Sequence, residues 1–188
     1  MMYTQNTVTT PTHNFDKGYK WLHWLMAVLI LLMLFALLGF NDSLTKAERM
    51  EMLVGHSSIG SLVSILLILR VFKRFIKKDA VPEQNISQWQ KRASKWVQMS
   101  LYACMILVPL TGYLTARAHE LPVMAFASIN LSNVSTQSYD ANAFLLLRSL
   151  HEWAISFLVI FLVLHIGGAL FHKLIKKDQV MASITRTK

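Results

Sequence analysis

Four stretches of this chain contain no Asp, Glu, Lys or Arg: Trp21–Asn41, Met52–Leu69, Trp96–Ala116 and Trp153–His172, each 18 to 21 residues long. A helix needs about 20 apolar residues to cross a hydrocarbon core some 30 Å thick, so each stretch is long enough to span a bilayer. One such helix can hide inside a soluble protein. Four of them in 188 residues leave too little polar surface to cover them. Only 15% of the residues are charged, against about a quarter in a soluble domain. The sequence therefore predicts an all-α integral membrane protein, a single-domain four-helix bundle running up, down, up, down. Its spans are expected at about 18–41, 51–75, 94–117 and 142–175. The first span outruns the roughly 7–15 residues of a signal-peptide core and is followed by no A-x-A-type site, which reads as a retained helix.

Basic residues set the expected orientation, because cytoplasmic loops are enriched in Lys and Arg. With four spans, both tails and the second loop share one side, and that side carries fifteen Lys and Arg against four on the other: Lys46, Arg49, Arg117 and Arg148. The tails are thus expected in the cytoplasm. The net charge of +9 follows from this orientation and does not call for nucleic acid as a partner. Trp21, Trp24, Trp89, Trp96 and Trp153 lie near span ends, as an interfacial aromatic belt requires. Cys104 is the only cysteine and no C-x-x-C-H motif occurs, which excludes an internal disulfide and covalent haem attachment. In the long outer loop, the apolar piece Leu121–Phe126 is expected to lie on the membrane surface. Pro109 is expected to kink the third helix.

Ionisable side chains inside a membrane are costly and tend to be functional. His23 falls at the inner end of the first helix, and His56 near the outer start of the second. The fourth helix carries His151 toward the outside and His165 fourteen residues further in, an axial distance of about 21 Å. Fourteen residues are also two heptads, so both rings face one seam of a left-handed bundle. The four histidines sort into an inner level, His23 with His165, and an outer level, His56 with His151. Two imidazoles from facing helices at one depth are what a haem iron with two axial ligands needs. The rivals are interhelical hydrogen bonds and a zinc or copper site. Zinc prefers about four ligands, and only Glu152 adds a carboxylate at either level. The third helix has no histidine within its span and would act as a wall. Gly55, Ser57, Ser58, Gly60 and Ser61 around His56, and Gly167 and Gly168 after His165, would let a flat macrocycle approach the backbone. Haem propionates need cationic partners. Arg148, one turn outward of His151, and Arg70, fourteen residues after His56, are the candidates, with Arg117 the weaker one. His172 lies two turns beyond His165 on the same face. It is a candidate for binding a quinone carbonyl or relaying a proton. His13 and His119 fall outside the spans and receive no role.

These residues carry a resemblance. Leu22-His23-Trp24, Gly55-His56-Ser57, and His151-Glu152 followed by His165 and His172 are similar to motifs of the bacterial cytochrome b561 family. Its members are di-haem b proteins of the inner membrane, related to the cytochrome b subunits of nickel–iron hydrogenases. The resemblance covers about residues 17–178. It implies His23, His56, His151 and His165 as axial ligands of two haem b groups per chain, with the fourth helix serving both. It further implies a membrane quinone near the inner haem and a periplasmic electron donor, superoxide in at least one relative. Three functions are weighed: transmembrane electron transfer to quinone, a haem-bearing anchor subunit of a larger oxidoreductase, and a haem-free transporter or scaffold. If the chain is an enzyme, it is an oxidoreductase.

Overall fold

The protein is described here from a computed structural model, in which residues 17–39, 44–76, 86–119, 121, 123–131, 140–178 and 180–185 are defined. His13 lies outside them. Four long helices dominate: α1 (Lys17–Leu37), α2 (Lys46–Ile76), α3 (Gln88–Ala118) and α4 (Ala141–Phe171). A π-helical turn, His172–Lys176, extends α4, and a short α5 (Ala182–Thr185) follows. All four long helices are long and apolar enough to cross a membrane, and the fold is the expected all-α four-helix bundle. At 31 residues each, α2, α3 and α4 measure about 46 Å, well beyond the hydrocarbon core.

Local chemistry fixes where the helices begin. α2 starts at Lys46, five residues before the expected span, because Thr45 and Glu48 form a capping box. The Thr45 N–H donates to Glu48 Oε2 at 2.8 Å, and the Glu48 N–H to Thr45 Oγ1 at 3.3 Å. α3 starts at Gln88, six residues before its expected span, where the Ser87 N–H donates to Gln90 Oε1 at 3.2 Å. Asp140 caps α4 by accepting from the N–H groups of Asn142 and Ala143, both at 3.0 Å. α1 ends at Leu37, short of the expected 41. At Gly39 a side chain would press on Met52 Cε, 3.1 Å from where a Cβ would stand. α3 runs through Pro109 as one helix.

α1 packs chiefly on α2, and α3 chiefly on α4. Met26, Val63, Leu66 and Leu67 form a buried cluster, flanked by Tyr102 and Met105 from α3. Met26 is the most buried of these, 2% exposed. All five tryptophans and long runs of Leu, Ile, Val and Phe face outward, as a surface solvated by lipid requires.

The loop between α3 and α4, where an apolar piece is expected on the membrane surface, has a structure of its own. It carries a two-stranded antiparallel hairpin, β1 (Met124–Ala125) with β2 (Ile129–Asn130), docked on α2. The Met124 N–H donates to Ser57 Oγ at 3.1 Å and the Ala127 N–H to Ser58 Oγ at 2.9 Å. Val123 and Ala125 are buried there. The reason is backbone polarity: hydroxyls one and two positions past His56 offer the loop hydrogen-bond partners that lipid does not.

Candidate functional site

The structure brings four histidines from three helices into two pairs. His23 of α1 and His165 of α4 stand 6.2 Å apart, ring centre to ring centre, with planes inclined at 76°. His56 of α2 and His151 of α4 stand 6.3 Å apart at 84°. All four rings are half-buried. Because α4 supplies one member of each pair, the pairs lie two heptads apart along it.

The donor set fits a flat metal macrocycle. Two imidazoles bound to opposite sides of one metal, each through a bond of about 2 Å, have ring centres roughly 6 Å apart. Both observed separations match. Beside His56 an apolar cavity of about 210 Å³ is lined by Met33, Ala36, Met52, Gly55, His56 and Ile59. A Cβ placed on Gly55, which lines that cavity, would meet nothing within 4 Å, whereas Gly167 and Gly168 are exposed. Among the described residues no three of His, Cys, Asp and Glu converge, so the donors available come in twos, too few for a zinc cage.

Each pair has its own surroundings. At the inner level Arg70 of α2 reaches His23, its Nη1 donating to Nδ1 at 2.9 Å. Its Nε donates to the Tyr102 hydroxyl at 3.2 Å and its Nη2 to the Tyr19 hydroxyl at 3.4 Å. The guanidinium also lies 4.6 Å from the centre of the Tyr19 ring, a cation–π contact. Arg70 thus meets a candidate ligand ring directly. At the outer level α3 is more than a wall. Thr111 Oγ1 lies 3.0 Å from His151 Nδ1. A Cβ on Gly112 would stand 3.0 Å from His151 Cε1, so the glycine leaves the ring its space. Arg148 is exposed and paired with Glu152 at 2.9 Å. Arg117 stacks over the Tyr113 ring at 6.0 Å.

Where α4 turns π-helical, Lys177 adopts a left-handed conformation with φ 51°. The chain then folds back so that Asp178 Oδ2 meets His172 Nδ1 at 2.5 Å. A cleft of about 500 Å³ opens beside this dyad, lined by Ser87, Trp89, Gln90, Phe171, Lys176 and Asp178. His119 stacks on Phe144 at 4.6 Å, away from both pairs.

Sequence reasoning missed Thr111, Gly112, Tyr19, Tyr102 and Asp178. Two had a signal. Thr111-Gly112 is a hydroxyl beside a glycine inside an apolar helix, and Tyr19 precedes His23 by four residues, one face of a helix. Tyr102 and Asp178 had none, because their contacts depend on tertiary placement.

A membrane-spanning four-helix bundle with paired imidazoles at two depths has the architecture of a membrane b-type cytochrome. The chain belongs to the prokaryotic cytochrome b561 family, which it matches over residues 14–187. It is accordingly a multi-pass membrane protein of haem-b electron transfer. Two curated proteins of Escherichia coli (strain K12) are similar to it. Cytochrome b561 homolog 1 is 27% identical over 177 residues, covering 90% of this chain and 95% of that protein. Cytochrome b561 homolog 2 is 29% identical over 170 residues, covering 85% and 84%.

Proposed function

We propose that this protein holds two haem b groups, between His23 and His165 and between His56 and His151. In this reading it carries electrons from a donor at the outer face of the inner membrane to quinone at the inner face. The observation that supports this is the pair of imidazole separations, 6.2 and 6.3 Å, at two depths of one bundle. Haem b supplies one-electron iron chemistry when bound. Held by His23 with His165 and by His56 with His151, each haem would have no open position for oxygen or substrate, and the chemistry it would supply is outer-sphere electron transfer. The protein's work is to hold the four rings, keep water out with lipid-facing apolar helices, and deliver protons where the acceptor needs them.

For the acceptor, the His172–Asp178 dyad and its cleft lie at the inner end of α4. A quinone headgroup there would take a proton from His172, while Asp178 steadies the charged ring. Arg148 and Arg70 are the candidate cations for propionates at the two levels. Superoxide is the small-molecule donor suggested by the family resemblance. The four outer basic residues face six acidic ones in the expected topology, so the outer face has no net attraction for an anion. Cytoplasmic tails rest on the basic-residue asymmetry, and residence in the inner membrane on the family resemblance.

The test is a haem count on single variants. His56→Ala and His151→Ala are expected to lose one haem of two, and His23→Ala and His165→Ala to lose the other, distinguishable by visible and EPR spectra. Two haems retained in all four variants would overturn the ligand assignment.

A further inference from the structure

α4 carries one ring of each pair, about 21 Å apart along its axis. To bring both rings to their partners, its depth and its tilt must both be fixed, and a single contact point fixes only one of these. A slip of one turn moves a ring by about 5.4 Å, close to the 6.2 and 6.3 Å that separate the partners. Apolar faces resist such a slip poorly, because lipid tails are as apolar as Leu and the contacts have no direction. The structure places polar contacts at two depths instead, each beside a histidine.

At the outer level the β1–β2 hairpin grips α2 just past His56. The Met124 N–H donates to Ser57 Oγ at 3.1 Å and the Ala127 N–H to Ser58 Oγ at 2.9 Å. The tip of the hairpin is strained, with φ 51° at Phe126 and 55° at Ala127. The Ser128 N–H closes this turn on the Ala125 carbonyl at 3.2 Å. Two central residues at positive φ are ordinarily Asn-Gly; the Cβ atoms of Phe and Ala crowd the backbone there. Strain of this kind persists where the surroundings hold it, and the bond to Ser58 falls on the strained Ala127 itself. Asp140 carries the grip to α4: its N–H donates to the Ala118 carbonyl at 3.2 Å, and its side chain caps the helix.

At the inner level the C-terminal segment runs from α4 to α1. Asp178 turns back onto His172, and the Val180 N–H donates to Asp178 Oδ1 at 3.1 Å. Ser183 of α5 is buried, and the Ile184 carbonyl accepts from the Trp24 indole N–H at 3.4 Å. Trp24 follows His23 directly and meets its ring edge-on, centres 5.4 Å apart. Lys20, one turn earlier on α1, is buried too.

We infer that the hairpin and the C-terminal segment are two clasps that set the depth and tilt of α4. The outer clasp aligns His151 with His56, and the inner clasp aligns His165 with His23. Ser57, Ser58 and Trp24 are positioning residues, each acting through the histidine beside it. A few hydrogen bonds per clasp are too weak to hold α4 to α1 and α2 unaided. They set the register and leave the holding to the group bound between the rings. This inference rests on the two-haem reading above.

The experiment follows haem loss from the purified protein to excess apomyoglobin in detergent, with the spectra of the single-histidine variants telling the two levels apart. Ser57→Ala with Ser58→Ala is expected to release the outer haem faster, by about fivefold for each hydrogen bond lost, and the inner haem at the wild-type rate. Trp24→Phe keeps an aromatic ring against His23 and removes the indole N–H. It is expected to release the inner haem about fivefold faster and to leave the outer one alone. Ending the chain after Asp178 keeps the dyad, removes α5, and is expected to loosen the inner haem at least as much. In each case the low-spin ferric EPR signal of the loosened level shifts as its rings turn. Ser57→Thr with Ser58→Thr keeps both hydroxyls and is expected to restore the wild-type rates. If the shortened chain does not accumulate, Trp24→Phe decides for the inner clasp. Both haems released faster alike by a variant of either clasp, or an unchanged rate at the level beside it, overturns the inference. A wild type with fewer than two haems per chain sinks the two-haem reading itself, whereas two haems released at wild-type rates in every variant sink only the clasps.

Discussion

A glycine shows how finely the outer pair is set. Gly112 gives His151 room that an alanine would take, its Cβ falling 3.0 Å from Cε1. Overpacking of this kind costs typically 1–3 kcal/mol. Gly112→Ala is therefore expected to weaken retention of the outer haem while the inner one stays, read as a fall from two haems toward one per chain. At the other end of α4, His172 and Asp178 are coupled at 2.5 Å. Asp178→Asn removes the charge that steadies the ring, and His172→Ala removes the ring. Both are expected to keep two haems and to slow quinone reduction by about a hundredfold, the lower end of the range for a proton donor. An unchanged rate in steady-state assays would remove the dyad from the reaction. At this scale the histidines were legible in the sequence because ionisable groups are conspicuous in apolar stretches. Their surroundings were not: Thr111, which meets His151 Nδ1, and Tyr102, which accepts from Arg70 beside His23, are ordinary helix residues until α3 is seen against α4 and α2.

The helices were legible because hydropathy and charge mark spans directly, but their ends were not. Charge-free runs locate the part of a helix that lies in lipid, whereas α2 and α3 begin in polar sequence, where Thr45, Glu48, Ser87 and Gln90 cap them. The hairpin was hidden for a related reason. Leu121–Phe126 is apolar enough for a membrane surface, and only the hydroxyls of Ser57 and Ser58 make docking on α2 the better solution. Those two serines had been read as space for a ring. Replacing both by alanine leaves the Met124 and Ala127 N–H groups without these acceptors, at about 1 kcal/mol for each lost bond. Amide hydrogen exchange over residues 124–130 is expected to quicken several-fold, with the protection of α2 itself unchanged. Equal exchange in the variant would mean that Val123 and Ala125 alone hold the hairpin.

For the molecule as a whole, topology and cofactor content are the properties to measure. Reporter fusions at both ends are expected to read as cytoplasmic, since fifteen basic residues against four is a strong bias. A periplasmic reading at either end would reverse the direction assigned to every step above. Stability is expected to follow haem supply. A ligand at a hundredfold excess over its Kd stabilises by about 2.7 kcal/mol, so protein expressed under haem limitation is expected to melt several degrees lower in detergent.

That dependence has a consequence for how such a protein is made. α1 with α2, and α3 with α4, are two close-packed hairpins, and each histidine pair takes one ring from either hairpin. A metal bond through either pair would sew across that seam, never within one hairpin. Each hairpin can enter the bilayer on its own as the ribosome releases it, and cofactor delivery, arriving later, would be the event that joins the halves. Cells short of the pigment would then hold two loosely associated halves open to quality-control proteases, which ties the abundance of the protein to the supply of its cofactor.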